Sequence, residues 1–76
     1  MKIIGKWSKS KGNILVNIPK IRVTPGTLQP AKIKYLGDPD DPVVPSAVSR
    51  DLTKEYGRRL VLVPTSARGG NIVEED

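Results

Sequence analysis

Apolar and polar positions alternate along most of this chain, and one stretch sets the pattern for the rest. Over residues 13–23, Ile14, Val16 and Ile18 recur at the two-residue period of a β-strand. The β-branched residues that dominate it suit a pleated surface. After Pro19 the phase slips by one residue, and Ile21 and Val23 become the apolar positions, with Lys20 and Arg22 facing the other side. A slip beside a proline predicts a bulge or sharp bend. Residues 2–10 read as a strand before it, joined by the turn signal Lys11-Gly12-Asn13. A Gly12-Asn13 loop of type II′ puts Trp7 opposite Ile18, whereas a Lys11-Gly12 loop puts it opposite Val16; both keep Trp7 on the apolar face. Thr24-Pro25-Gly26-Thr27 has the proline and glycine that a type II turn requires. Residues 28–30 prolong that connection.

Residues 31–36 form a third predicted strand, with Ala31, Ile33 and Tyr35 on one face and Lys32 and Lys34 on the other. Three prolines make residues 37–46 a loop. Residues 46–56 are the one helical candidate: Ser46 as N-cap, Val48, Leu52 and Tyr56 as a buried stripe, and Gly57 as the stop. A short buried strand follows at residues 60–63, ended by Pro64. The expected fold is mainly β, a small partly open antiparallel β-barrel with one short C-terminal helix. Residues 1–64 would be the domain and residues 65–76 a flexible acidic tail.

Composition narrows the chemistry. At 76 residues the chain is one domain with a thin core. With no cysteine and no histidine it has no disulfide, no Cys/His metal site and no Cys-His or Ser-His catalytic pair. Asp, Glu and Lys are scattered, without a glycine-rich phosphate loop or paired carboxylates, so no enzyme is expected and no cofactor. Asp38, Asp40 and Asp41 lack the glycine and distal glutamate of a calcium loop and read as a rigid solvated turn, so no metal is expected. No apolar run approaches the roughly 20 residues that span a bilayer, and the first residues are charged too early for a signal peptide. The expectation is a soluble cytoplasmic protein without a membrane partner.

Charge points to a partner. Net charge is +5, distributed unevenly: residues 1–37 hold eight Lys and Arg and no acid, whereas residues 38–76 hold five against eight carboxylates. A one-sided positive potential attracts polyanions, and nucleic acid, RNA or DNA, is the partner inferred. Lys6, Lys9, Lys11, Lys20, Arg22, Lys32 and Lys34 are the phosphate-binding candidates. Lys32 and Lys34, two apart on one strand face, stand about 7 Å from each other. Trp7 is either a core residue or, flanked by Lys6 and Lys9, a surface on which an unpaired base stacks. Tyr35 is a second stacking candidate. Arg58 and Arg59, where the helix end meets the next strand, are placed to clamp a phosphate. Arg68-Gly69-Gly70 reads as a flexible linker or as one unit of an RNA-binding Arg-Gly-Gly repeat. Glu74-Glu75-Asp76 would fold over the basic face and compete with nucleic acid. No asparagine or glutamine cluster lies on a recognition helix, so binding with little base specificity is expected. The competing expectation is a protein-interaction module that docks an acidic partner.

Two resemblances carry further expectations. A short, basic, cysteine-free chain whose strands bear Lys20, Arg22, Lys32 and Lys34 resembles the small ribosomal and chromatin proteins of archaea. That implies a Src-homology-three-like barrel and a duplex, single-strand or ribosomal RNA partner bound by lysines and a surface aromatic; a monomer, working within a ribonucleoprotein particle, is the separate expectation for its assembly. Locally, Gly12-Asn13-Ile14-Leu15-Val16-Asn17-Ile18-Pro19-Lys20 resembles the strand signature of AbrB-type swapped-hairpin DNA binders. That implies a dimeric transcription regulator. Those proteins continue with a short helix, for which Ile21-Arg22-Val23-Thr24-Pro25-Gly26 is poorly suited.

Overall fold

The computed structural model describes residues 2–75, without the side chains of Val23 and Thr24. The expected apolar role of Val23 and the contribution of Asp76 to the acidic end lie outside the described residues. Five strands and one helix follow in the order β1 (Lys2–Ser10), β2 (Asn13–Thr24), β3 (Thr27–Tyr35), α1 (Pro45–Tyr56), β4 (Leu60–Ser66) and β5 (Gly69–Glu74). The strands make one antiparallel sheet in the order β3-β2-β1-β5-β4. The fold is mainly β and the sheet is not closed, in agreement with the alternation of the sequence.

The β1–β2 hairpin takes the second of its two predicted registers. Ser10 pairs with Asn13 and Trp7 with Val16, so the loop is Lys11-Gly12 and not Gly12-Asn13. Both loop residues have positive φ, 49° and 86°, the pattern of a type I′ turn. A distant segment favours this choice. The Asn13 side-chain oxygen accepts from the Gly37 N–H at 2.9 Å, and the Gly12 carbonyl accepts from the Val43 N–H at 2.9 Å. The loop after β3 is thereby pinned to the turn.

β2 is bent where the phase slip predicts it. Ile18 faces Ala31, but the next aligned pair is Ile21 and Gln29, so β2 holds one extra residue around Pro19 and Lys20. Ile21 is buried, and Lys20 and Arg22 are exposed. The Pro25-Gly26 turn has its glycine at φ 80°, as type II requires. Residues 28–30 are part of β3 instead of a longer connection. Pro30 is tolerated because β3 is an edge strand and Pro30 lies opposite the bulge. Residues 21–24 continue as strand, so the helix that follows the signature in AbrB-type proteins is not formed here.

α1 begins one residue before the predicted start. Pro45 occupies the first turn, where its missing N–H costs nothing, and Val44 is the N-cap without a side-chain hydrogen bond; Ser46 is not the cap. Val48 and Leu52 are buried and Tyr56 half-buried, as the stripe predicts. Gly57 ends the helix at φ 64°, donating its N–H to the Thr53 carbonyl. α1 also closes the outer edge of β4. The Thr53 hydroxyl accepts from the Leu60 N–H at 3.0 Å and donates to the Leu60 carbonyl at 3.1 Å, and Ser49 Oγ accepts from the Leu62 N–H at 2.9 Å.

The largest departure is at the C-terminal end. β4 runs past Pro64 to Ser66, and Gly69–Glu74, expected within a loose tail, is an interior strand between β1 and β4. Residues 65–76 are therefore not a tail appended to a domain of residues 1–64. The two glycines explain the placement. A Cβ on Gly70 would collide with the Val63 carbonyl and stand 2.7 Å from the Pro64 Cα. Only a strand that begins without side chains can lie this close to β4. Ile72 is then fully buried in a core made by Trp7, Ile14, Val16, Ile18, Ile21, Val48, Leu52, Leu60 and Leu62.

Candidate nucleic-acid interface

Directly paired residues of neighbouring strands share a face, so the pairing locates each basic side chain. Trp7, Val16 and Ile33 form one cross-strand row on the face that α1 covers. The next row, Lys6, Asn17 and Lys32, is on the opposite face, followed by Ser8, Leu15 and Lys34. All six of these residues are exposed. Lys6 and Lys32, two strands apart, are separated by roughly 10 Å of sheet. Lys20 and Arg22 point away from buried Ile21 and carry the positive charge along the distal part of the β2–β3 hairpin.

Acidic groups are held elsewhere. The Asp38 carboxylate accepts from the backbone N–H groups of Asp40 and Asp41, at 2.9 and 2.6 Å, and so fixes its own turn. Among the described residues, no group of three or more His, Cys, Asp or Glu is placed to hold a metal ion. The ion pairs found among them are Arg58–Glu74 and Arg59–Glu75, which leaves Lys6, Lys20, Arg22, Lys32 and Lys34 without a carboxylate partner.

Several expected binding residues have other work. Trp7 is 5% exposed, and its Nε1–H donates to the Asn71 carbonyl at 3.1 Å. It is a core residue and offers no surface for a base. Its burial follows from β5, whose backbone receives the indole N–H. Tyr35 is half-buried against the core and donates its hydroxyl to Asp51 Oδ2 at 2.9 Å, so it is not a free stacking ring. Burial, that hydrogen bond and the negative charge of Asp51 together push its pKa far above the ordinary tyrosine value.

Arg58 makes a two-point pair with Glu74, Nε to Oε2 at 2.6 Å and Nη2 to Oε1 at 2.8 Å, and also donates to the Arg22 carbonyl at 3.2 Å. This guanidinium ties β2, β5 and the start of β4 together and is no phosphate clamp. Arg59 is paired more loosely with Glu75, at 3.7 Å. Glu74 and Glu75 thus neutralise the two arginines and are not paired with the lysine face.

Lys9 and Lys11 are also separated from the main group. Lys9 pairs with Ile14, which places it on the α1 side of the sheet at the turn end. There it lines a shallow depression with Lys11 and Arg68, and its N–H donates to the Arg68 carbonyl at 2.7 Å. Arg68 and Lys2 were not among the expected binding residues. Arg68 carries a signal in its Arg-Gly-Gly string, but only the β4–β5 turn brings it to Lys9; Lys2 has none beyond its charge.

No helix among the described residues is long and apolar enough to cross a membrane. No known family model matches the chain, and neither a characterised protein nor a solved structure is found to be similar to it.

Proposed function

We propose that this protein binds nucleic acid with little base specificity through the uncovered face of its sheet. The observation that carries the proposal is the Lys6–Asn17–Lys32 row with Lys34 beside it, exposed, free of carboxylate partners among the described residues and continued by Lys20 and Arg22. Lysines on such a face take the place of counterions along the phosphates and position the strand without reading its bases. No recognition helix takes part, because the outer surface of α1 is on the other side of the sheet.

Anisotropy titrations of labelled single- and double-stranded DNA and RNA at several salt concentrations test this. Affinity should fall with salt at a log–log slope of roughly −2 to −4, the value for three to five neutralised phosphates. The combined variant K6A/K32A/K34A should bind about tenfold more weakly at low salt and lose most of that slope. Trp7 fluorescence should stay unquenched throughout, since the indole is inside. An unchanged affinity in the triple variant would overturn the proposed face. Absence of binding to all four probes would overturn nucleic-acid binding and leave a docking module for an acidic protein partner as the reading to pursue.

A further inference from the structure

β1 and β2 are paired only from Lys6 and Asn17 to the turn. Beyond that point they part. Lys2, Ile3 and Gly5 stay paired with β5, whereas Ile18, Ile21 and Arg22 follow β3. A register shift marks the fork on both sides, between Ile3 and Gly5 on β1 and between Ile18 and Ile21 on β2. Between the two limbs is an open cleft of about 520 Å³. Its apolar lining is Ile3, Ile4, Pro19 and Leu28, and its cations are Lys2, Lys20, Arg22 and Arg58. Glu74 neutralises Arg58; the other three have no ion pair among the described residues.

Two features make this cleft more than a gap. Ile3 and Leu28 are 62% and 54% exposed, so large apolar side chains are left in water beside unpaired cations. A second cavity, of about 180 Å³, shares Ile3, Ile4 and Pro19 with the first and adds Lys6 and Asn17. The two are therefore one trough, which leads from the β2–β3 hairpin to the first members of the lysine row.

A ligand that fits this trough is a polyanion with apolar surface available between its charges. A duplex keeps its bases stacked inside and gains nothing from an apolar floor. A single strand can lay a base on that floor while its flanking phosphates meet the cations at the rim. The larger cavity is within the range of about 300–1,000 Å³ common for small-ligand sites, enough for one nucleotide. We propose that the trough is a subsite for an unpaired nucleotide, with the base against Ile3, Ile4, Pro19 and Leu28 and the neighbouring phosphates at Lys2, Lys20 and Arg22. The base is held by apolar contact alone, without an aromatic ring. This subsite rests on the nucleic-acid reading of the open face and makes it selective for single strands.

The test compares an oligothymidylate of about ten nucleotides with a duplex of equal phosphate count, on the full chain and on the variant I3S/L28S. Both side chains are exposed, so the variant should keep the circular dichroism and urea midpoint of the parent. It should lose about fivefold or more in single-strand affinity and stay within about twofold on duplex. An oligomer of abasic sites should bind the parent as weakly as the intact oligomer binds the variant. Unchanged single-strand binding in I3S/L28S, or an equal loss on single strand and duplex, would overturn the subsite and leave the lysine face standing. Failure of both probes to bind the parent would overturn the lysine face as well.

Discussion

Trp7 follows Lys6 in β1, Val16 precedes Asn17 in β2, and Ile33 follows Lys32 in β3. The apolar member of each pair is packed on the α1 side, and the polar member stands in solvent on the other. One face must exclude water, so its inner side chains are chosen for volume, and the polar groups drawn towards the core, the Trp7 N–H and the Tyr35 hydroxyl, have partners. The other face buries little and tolerates lysines side by side, an arrangement that is mildly unfavourable for folding. Stability resides on the covered face, and the lysines proposed to meet nucleic acid reside on the open one. The ion pairs follow the same division: Glu74 and Glu75 neutralise arginines near the helix end and leave the lysine face untouched.

Substitutions on the two faces should therefore separate stability from binding. The largest stability loss is expected for Leu52→Ala, since Leu52 is fully buried. The loss should be about 2–5 kcal/mol in urea denaturation, a large part of the roughly 5–15 kcal/mol that holds a domain together. A loss below about 1 kcal/mol would mean that α1 is not the cover of the core.

Next come the helix hydroxyls on the β4 edge. Removing both in S49A/T53A leaves the Leu60 and Leu62 N–H groups without their side-chain acceptors and should cost about 1–2 kcal/mol. A neutral result would show that water satisfies that edge equally well.

Tyr35→Phe is smaller at neutral pH, under about 1 kcal/mol, but it changes the alkaline behaviour. The Tyr35 proton is held more tightly in the folded state than in the unfolded one, first by burial and then by the bond to Asp51. Its contribution is therefore complete below the ordinary tyrosine value near pH 10 and is lost as pH rises above it. Unfolding midpoints measured from about pH 8 to about pH 11 should fall less steeply in Tyr35→Phe than in the parent. Equal slopes would assign the decline to other groups. Smallest of all, K6A/K32A/K34A should move stability by less than about 0.5 kcal/mol while weakening nucleic-acid binding most.

Legibility differed from segment to segment for physical reasons. Ile14, Val16, Ile18 and Ile21 announced both the strand and its bulge, because alternation and the proline act on adjacent residues. The Val48–Leu52–Tyr56 stripe announced the helix in the same way. Pro64 and the glycine pair at Gly69 and Gly70 read as breakers of structure, yet they lie in paired strands. Pro64 is on an edge, and Gly70 is required by the close approach of β4. Breakers lower local propensity, and pairing with β1 and β4 together overrides it. For the candidate interface, Lys6, Lys32, Lys34, Lys20 and Arg22 could be grouped by alternation alone. Arg58 and Arg59 look like the lysines in sequence, and only their neighbours in space distinguish them.

What the sequence by itself determined is local or global: the β period, the turns at Gly26 and Gly57, the absence of cysteine and histidine, and the split of charge between the two halves. These depend on neighbouring dihedrals or on totals. The tertiary structure decided the β1–β2 register, the interior place of β5, the burial of Trp7, the pairing of the arginines and the fork that opens the trough. Each of these is a contact between distant parts of the chain, as when Trp7 reaches Asn71 across 64 positions. Such contacts form only when strands choose partners, and that choice is made by the packing of the whole core and not by any short run of residues.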